Sequence, residues 1–381
     1  MISRTEYKLE ELGEKEYKNF FGPLYDYLAI DDIIDVDYES NELWVTYSSG
    51  ERKKFPEDER ITQSFIESFT TRARNVISGQ FSKADPWMET EYGNYRITFI
   101  HESVSPNGRT FCIRKVSKYP VHTAESLIET GYCSKEALNF IVNCVKAHMV
   151  IGIGALPDVG KTEILKFLTM HIPPEEKTIT IEERQEIFMK GYMPDNDVIS
   201  LLKSENMSGS DAIRTALCLN PKWLIYQEVR GSEANELITA WTTGIPGIVT
   251  FHGEEANKFP ERITDMTGKK ENESYILHEV YEFLDIGVQL RWKVNSDGER
   301  YRSMDQICLY NSDKKGNHAT VIIDNGVLIK NRIPTDIWRK FERAGIKDPF
   351  RCEALDESFW PDVNVTEDTT GEKEVLLHYG T

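Results

Sequence analysis

The sequence lacks any long hydrophobic run. Its longest uninterrupted apolar stretch, near 149–153, is far shorter than the roughly 20 residues that a membrane-spanning helix requires. The first 20 residues alternate charges and lack the apolar segment of a signal peptide. We therefore expect a cytoplasmic protein without a membrane span.

Closely spaced cysteine pairs are missing as well. The chain has six cysteines, which lie far apart and form no C-x-x-C pair. This spacing predicts neither a zinc site nor a disulfide framework. Buried, reduced thiols are the simpler interpretation.

An excess of positive charge is also absent. The formal net charge is −18, whereas sequence-independent binding of DNA or RNA relies on clusters of Lys and Arg that displace phosphate counterions. The balance leaves room for a local basic patch, but we expect no direct contact with nucleic acid.

The composition that remains is that of a soluble globular protein, with 40% hydrophobic and 28% charged residues. A chain of 381 residues is expected to hold two domains, at roughly 150 residues each. Alternating apolar residues between 32 and 117, with a helical pattern from 61, predict a smaller α+β domain at 1–118. Pro120 marks its boundary because proline disfavours regular structure just before it, and we expect a linker at 119–133.

The second predicted domain, 134–351, alternates helix and strand, as in an α/β fold with a mostly parallel sheet and covering helices. Thr123 and Ser134 are predicted N-caps of two short helices. The sequence Asp-Asn-Gly at 324–326 predicts a hairpin. Residues 352–381 are rich in acidic side chains, so we expect a mobile tail there.

The stretch ALPDVGKT at 155–162 fits the pattern [A/G]-x-x-x-x-G-K-[S/T] of a phosphate-binding loop. It follows a predicted strand and opens a predicted helix, which aims backbone N–H groups at phosphate oxygens. Lys161 would reach the β- and γ-phosphates, and Thr162 would bind Mg²⁺. The alternative is an ordinary strand-to-helix turn. The predicted nucleotide-binding residues are Ala155, Leu156, Pro157, Asp158, Val159, Gly160, Lys161, Thr162 and Glu163.

The loop is poor in glycine and carries a carboxylate at Asp158. A negative charge within a few ångströms of the phosphates would repel them unless it points outward or a cation offsets it. Asp158 is therefore the residue that most opposes a nucleotide at this site.

Three stretches downstream of the loop suggest a family. They are TITIEERQEI at 178–187, ALCLNPKWLIYQEVRG at 216–231 and TTGIPGIVTFHGEEANKFPERI at 242–263. In this order and at these distances, they resemble the secretion ATPase superfamily, the hexameric traffic ATPases of type II and type IV secretion, conjugation and pilus assembly. The likeness covers about residues 22–292 and is greatest to the type IV secretion and tight-adherence pilus branch.

The resemblance implies roles for acidic and basic residues in these stretches. Its acidic "Asp box", Walker B segment and "His box" correspond to Glu182, Glu183 and Glu186, to Glu228 and Arg230, and to His252. The chain departs from the family at three of these places. Gln227 and Gly253 stand where the family has glycine and alanine, and Glu183 replaces an aspartate.

The N-terminal block supports the same family. The segment RITFIHESVSPNGRTFCIRKVSKYP at 96–120 resembles the family's segment before the linker. The resemblance implies that Arg114 and Lys115 face the nucleotide and that Arg96 belongs to the same group.

Phosphoryl transfer to water requires charge neutralisation and a positioned water. Glu228, after an apolar strand, is the best candidate to orient or activate that water. Glu182 or Glu186 could hold Mg²⁺ through water, and His252 could sense the γ-phosphate. Arg96, Arg114 and Arg230 are candidate arginine fingers. Each of these residues also has a purely structural alternative, as a solvated charge or a core histidine.

The resemblance implies a RecA-like P-loop ATPase domain preceded by a PAS-like domain, with ATP and Mg²⁺ bound. It further implies a homohexamer at the cytoplasmic face of the membrane that pushes on inner-membrane components of its machine. Two alternatives stay open: a nucleotide-gated assembly subunit with little ATP turnover, and a nucleic-acid translocase, which the acidic balance disfavours.

Overall fold

The structure is a computed structural model that describes residues 13–77, 80–352, 362–367 and 373–378. The chain divides into two compact units. One comprises Met1–Ser117 with Gly298–Arg300, and the other comprises Lys118–Asp297 with Tyr301–Thr381. Each unit has its own core.

The first unit is an antiparallel sheet with helices. Its described elements are α1 (Glu14–Phe21), α2 (Tyr25–Leu28), β1 (Ile33–Glu39), β2 (Glu42–Tyr47), β3 (Arg52–Lys54), α3 (Gln63–Ile77), β4 (Trp87–Tyr92), β5 (Tyr95–Ile100) and β6 (Thr110–Lys115). The six strands follow the order β3-β2-β1-β6-β5-β4, and every neighbouring pair is antiparallel. Helix α3 buries Ile66, Phe69 and Ala73 at helical spacing, as an amphipathic helix on a sheet must.

The second unit begins with a helix pair and a parallel sheet. Its elements up to the last parallel strand are α4 (Ala124–Glu129), α5 (Lys135–Lys146), β7 (Val150–Gly154), α6 (Lys161–Thr169), β8 (Thr178–Glu182), α7 (Met189–Tyr192), β9 (Val198–Leu202), α8 (Gly209–Cys218), β10 (Trp223–Val229), α9 (Ala234–Thr242), β11 (Gly247–Phe251), α10 (Phe259–Met266), α11 (Glu273–Phe283) and β12 (Ile286–Val294). The two predicted N-caps are confirmed, because Thr123 accepts a bond from the backbone N–H of Ser126 and Ser134 accepts one from that of Ala137.

The chain continues with antiparallel strands and one helix. These elements are β13 (Arg300–Asp313), β14 (Gly316–Asp324), β15 (Val327–Leu328), β16 (Arg332–Ile333), α12 (Thr335–Arg343), β17 (Asp362–Glu367) and β18 (Lys373–His378). The predicted Asp-Asn-Gly hairpin is confirmed as the connection between β14 and β15.

The large sheet is mixed, with the order β15-β14-β13-β12-β7-β11-β10-β8-β9. The six strands from β12 to β9 are parallel to their neighbours. Strands β7, β8 and β11 are buried at every residue, as expected of parallel strands covered by helices on both faces. The carboxyl ends of β7, β11, β10 and β8 therefore meet side by side at one edge, where ligands bind in open α/β sheets.

Part of the predicted acidic tail forms strands. β17 pairs with β18, and β18 pairs with β16, in a small antiparallel sheet. The sequence pattern does not predict these strands. The tail residues 353–361, 368–372 and 379–381, which the prediction of a mobile tail also covers, lie outside the described residues, as do 1–12. In the part of the chain that the structure describes, no helix combines the length and apolarity needed to cross a membrane.

Candidate functional site

The glycine-poor loop at 155–160 connects the end of β7 to the start of α6. Asp158 and Gly160 both have left-handed backbone conformations, with φ of 62° and 96°. Glycine adopts this conformation without a Cβ penalty, and aspartate tolerates it better than most residues. Gly160 is the N-cap of α6, and no side chain caps that helix end. Its N–H groups are therefore not claimed by a capping side chain, which is the geometry that binds phosphate oxygens.

The predicted nucleotide-binding residues differ in exposure. Ala155 and Val159 are buried and anchor the loop in the core. Leu156, Pro157 and Asp158 are exposed, and Gly160, Lys161, Thr162 and Glu163 are half-buried.

The ammonium group of Lys161 lies against its own loop. Lys161 Nζ is 3.4 Å from the carbonyl oxygen of Ala155, 3.5 Å from that of Leu156 and 3.3 Å from Nδ1 of His252. Burial lowers the pKa of Lys161, while the nearby Glu228 and Asp158 act to raise it. The lysine is thus held over the loop by carbonyl dipoles and a ring nitrogen.

Glu228 lies at an irregular point near the end of β10. Its φ is 56°, the pairing with β11 shifts register there, and its N–H donates to Oγ1 of Thr250 at 2.9 Å. Strained backbone of this kind persists only where neighbouring contacts fix it, and it is common at functional sites. The bend carries the carboxylate toward the loop that follows β7.

The carboxylate of Glu228 contacts two cationic or donor side chains. Nε of Arg230 donates to Glu228 Oε1 at 2.8 Å, and Nε2 of His252 lies 2.9 Å from the same oxygen. Burial acts to raise the pKa of Glu228, but the Arg230 bond and charge, with His252 and Lys161, outweigh it and lower the pKa below its ordinary value. Glu228 is therefore ionised at neutral pH.

One tautomer of His252 satisfies both of its contacts. An ammonium only donates, so Nδ1 accepts from Lys161 and Nε2–H donates to Glu228. The carbonyl of Ala155, 3.2 Å from Nδ1, then accepts from Lys161 instead. A continuous chain of polar contacts runs from the loop lysine through the histidine to the carboxylate.

Glu182, at the end of β8, supports a loop. Its side chain is fully buried, and Oε2 accepts the N–H groups of Glu186 and Ile187 at 2.8 and 2.7 Å. The hydroxyl of Thr180 donates to its other oxygen at 3.3 Å. Burial raises the pKa of Glu182 to about 7, against the opposing effect of these bonds.

The other two acidic residues of this segment bind side chains from β10 and the loop after it. Glu183 accepts from Nη1 of Arg230 at 2.9 Å. Glu186 accepts from Nε2 of the nearly buried Gln227 at 2.6 Å. Gln227, a departure from the family pattern, thus has a partner.

Arg302 on β13 also contacts this loop, although the sequence motifs do not indicate it. Its Nε and Nη2 are each 3.4 Å from the carbonyl oxygen of Asp158, and its guanidinium lies 4.5 Å from the ring centre of Trp292. No motif surrounds Arg302 in the sequence, and 144 positions separate it from Asp158. Its closeness to the loop follows only from the sheet order, in which β13 lies beside β12.

Arg96, Arg114 and Lys115 lie in the first unit, on β5 and β6. There Arg114 forms a two-point ion pair with Asp35 at 2.7 and 3.1 Å. Lys115 donates to the carbonyl of Ile30. Nε of Arg96 lies 3.8 Å from Oε1 of Glu89. Their role at a nucleotide remains a prediction.

Residues 95–284 match the family model described as Type II/IV secretion system protein. An uncharacterized protein of Bacillus anthracis is 26% identical over 262 residues, 68% of this chain and 59% of the relative. The type IV secretion system protein VirB11 of Bartonella quintana is 29% identical over 154 residues, 39% of this chain and 42% of VirB11. The chain thus spans less than two thirds of the length of either relative.

The fold has counterparts among solved structures. The ATPase DotB of Legionella pneumophila superposes with a TM-score of 0.58 at 15% identity, covering 77% of this chain and 80% of DotB. This likeness concerns the α/β fold alone. By the family match across 95–284 and the similarity to VirB11, this chain belongs to the secretion ATPase superfamily, in the family of type II/IV secretion system proteins.

Proposed function

We propose that this protein binds ATP with Mg²⁺ and hydrolyses it as the ring-forming motor of a secretion, conjugation or pilus-assembly machine. One observation carries the proposal. Lys161, His252 and Glu228 come from three separate motifs, and the fold joins them in one chain of contacts of 3.3 and 2.9 Å beside a helix N-terminus. A strand-to-helix turn without a ligand has no need of that arrangement.

The loop would hold the phosphates of ATP through backbone N–H groups near Gly160 and through the Lys161 ammonium. Binding would draw Lys161 away from its carbonyl contacts toward the phosphate oxygens. Mg²⁺, when bound, would supply charge neutralisation, and Thr162, the second residue of α6, would hold it.

Glu228 would orient the attacking water and accept its proton, since it is ionised and lies at the carboxyl edge of the sheet. Its contacts with His252 and Arg230 restrain it before ATP binds. Once Lys161 leaves His252, the histidine can follow the γ-phosphate, and Arg230 can stabilise charge at the transferring group.

Arg114, Lys115 and Arg96 are proposed to add cations from the first unit.

We assign Glu182 a different role from the one that the sequence suggested. Both of its oxygens are engaged in hydrogen bonds at a fully buried position. The catalytic and magnesium roles predicted for it are replaced by support of the loop that presents Glu183 and Glu186.

The wider assignment follows the family. We infer a RecA-like ATPase domain with a PAS-like domain before it, a homohexameric ring, and a cytoplasmic position against inner-membrane components of the machine. Changes in nucleotide state would move one domain against the other, which is a known way of coupling chemistry to displacement.

Phosphate release measured with malachite green tests the proposal on the wild type, Lys161→Ala and Glu228→Gln. Each substitution is expected to lower the rate by about 100-fold or more. Glu205→Gln, at an exposed turn position, is the control and should leave the rate unchanged. Equal release from all proteins would end the motor proposal. ATP binding without release from any of them would favour the nucleotide-gated assembly subunit.

A further inference from the structure

The exposed loop residue Asp158 presents a difficulty for the proposed function, on which this inference rests. A carboxylate beside a triphosphate at an effective dielectric constant of about 20 opposes binding strongly. Asp158 is in the left-handed region with φ of 62°, so its backbone turns sharply where the phosphates would sit. A loop of this kind needs a second cation near Asp158, one that does not itself bind the phosphates.

Arg302 is such a cation. Its Nε and Nη2 each approach the carbonyl oxygen of Asp158 at 3.4 Å, which are long contacts to one acceptor from a two-pronged donor. Lys161 is already held by Ala155, Leu156 and His252. Arg302 approaches the loop from β13, so its contacts with the loop do not depend on the lysine.

The side chain of Arg302 is itself held in place. Its guanidinium stacks on Trp292 at 4.5 Å, an arrangement that fixes a planar cation through its π face. Its aliphatic part runs beside Gly160, where an added Cβ would meet Cδ of Arg302 at 3.5 Å. Arg302 therefore contacts the loop at Asp158 and lies beside it at Gly160.

Other charged and titratable groups surround this position. Burial lowers the pKa of Arg302, against the opposing effect of nearby groups that include the Asp158 and Glu163 carboxylates. Glu163 Oε1 accepts from the buried Lys166 at 2.9 Å, so that carboxylate has a second cation. Lys161 also interacts favourably with Asp158, but Lys161 is the cation that the phosphates would draw away, whereas Arg302 is fixed on Trp292.

We propose that Arg302 is a positioning residue of the nucleotide loop, which holds the backbone at Asp158 and offsets the Asp158 carboxylate so that a triphosphate can enter a loop poor in glycine. Arg302 touches the loop and not the reacting atoms. It lies outside the matched family segment of 95–284.

The test is a double-mutant cycle on the full-length protein, with calorimetric titration of a non-hydrolysable ATP analogue in the presence of Mg²⁺. Arg302→Gln is expected to weaken binding by about tenfold, the effect of losing a charge-assisted contact. Asp158→Asn keeps the left-handed backbone, since asparagine also tolerates it, and should bind at least as tightly as wild type. Adding Asp158→Asn to Arg302→Gln should restore affinity to within about threefold of Asp158→Asn alone.

Rescue separates charge compensation from a merely structural role. If Arg302 only stiffened the loop, the double variant would stay as weak as Arg302→Gln, and that result would overturn the inference, as would wild-type affinity in Arg302→Gln. Arg214→Gln, an exposed arginine on α8, is the matched control and should bind like wild type. Arg302→Lys, which retains the charge, should bind more tightly than Arg302→Gln and provides the same comparison if the glutamine variant unfolds.

The same titration separates this inference from the proposed function. A wild-type protein that does not bind the analogue contradicts both. A wild type that binds, with no effect of Arg302→Gln, contradicts the inference and leaves the ATP site standing.

Discussion

At the scale of single residues, Gln227 shows how a departure from a family pattern can be accommodated. The family has glycine at this position, and Gln227 instead places a nearly buried amide 2.6 Å from the Glu186 carboxylate. An amide buried there without a partner would be costly. The amide of Gln227 thus depends on Glu186 for its hydrogen bond.

We expect Gln227→Gly to destabilise the second unit by about 2 kcal/mol. It removes a hydrogen bond to a charged group and adds backbone freedom inside a strand. Urea unfolding, followed by tryptophan fluorescence, measures the change. A cycle with Glu186→Ala is the control. If the two losses add without coupling, the contact does not stabilise the strand edge.

Glu182 predicts a dependence of stability on pH. Its pKa is about 7 in the folded protein, above its ordinary 4.5, because of burial. Between these two values the folded protein keeps a proton that the unfolded chain releases, so stability falls as pH rises. The full penalty, at most about 3 kcal/mol, is present above pH 7.

Glu182→Gln should remove this contribution. The free energy of unfolding of the variant, minus that of wild type, is expected to increase from pH 5 to pH 8 in denaturant titrations. Glu175→Gln, at an exposed position, should leave the difference flat. Parallel pH profiles for wild type and Glu182→Gln would show that the buried carboxyl does not titrate in this range.

Many residues of the candidate site could be predicted from the sequence. The motifs indicated Lys161, Glu228 and His252, and the fold brings them together. The structural roles of Glu182 and Arg302 could not be predicted from the sequence. A motif reports the type of residue and its spacing, but not which oxygen is used by a backbone N–H or which distant strand borders a loop.

At the scale of elements, helix α12 is joined to the central sheet by a buried ion pair. Lys340 Nζ lies 2.6 Å from Asp285, whose carboxylate also accepts the N–H of Val150 at 2.8 Å. Asp285 is 2% exposed, so without its cation it would be an unpaired buried charge. The contact connects the C-terminal segment to the strand that leads into the nucleotide loop.

Lys340→Met is therefore expected to lower the free energy of unfolding by about 3 kcal/mol, because breaking one half of a buried pair leaves the other uncompensated. Thermal and urea unfolding provide the measurement. Lys347→Met, exposed just beyond α12, is the matched control. Adding Asp285→Asn to Lys340→Met should recover part of the loss, and no recovery would mean that the lysine acts through packing alone.

The elements themselves followed from periodicity and capping. Thr123 and Ser134 cap α4 and α5 as predicted, because a hydroxyl before a helical pattern has few other uses. The strands β17 and β18 escaped prediction. They lie in a segment rich in acidic residues, a composition typical of unstructured chain, and β18 pairs with β16, which is far away in the sequence.

At the scale of the whole molecule, the proposed ring is the property that distinguishes a motor from an isolated nucleotide-binding domain. The chain has a mass of 43.9 kDa and a formal net charge of −18. Copies with this charge repel one another at low ionic strength. Assembly should thus depend on both nucleotide and salt.

Light scattering coupled to size exclusion should show a species of about six times 43.9 kDa when Mg²⁺ and a non-hydrolysable ATP analogue are present. Lys161→Ala, which removes the loop cation, should remain smaller under the same conditions. Raising the salt concentration to about 0.15 M should favour the ring by screening. A monomer under every condition would contradict the proposed assembly.

The contacts of Lys161 with Ala155 and Leu156 have a consequence for selectivity. The ammonium is already solvated by two carbonyl oxygens of its own loop, so an incoming anion must compete with them. A lone sulfate or orthophosphate offers only one tetrahedral group in exchange. A triphosphate spans both the lysine and the helix end, and this loop should accordingly discriminate by the length of the polyphosphate, as well as by its charge.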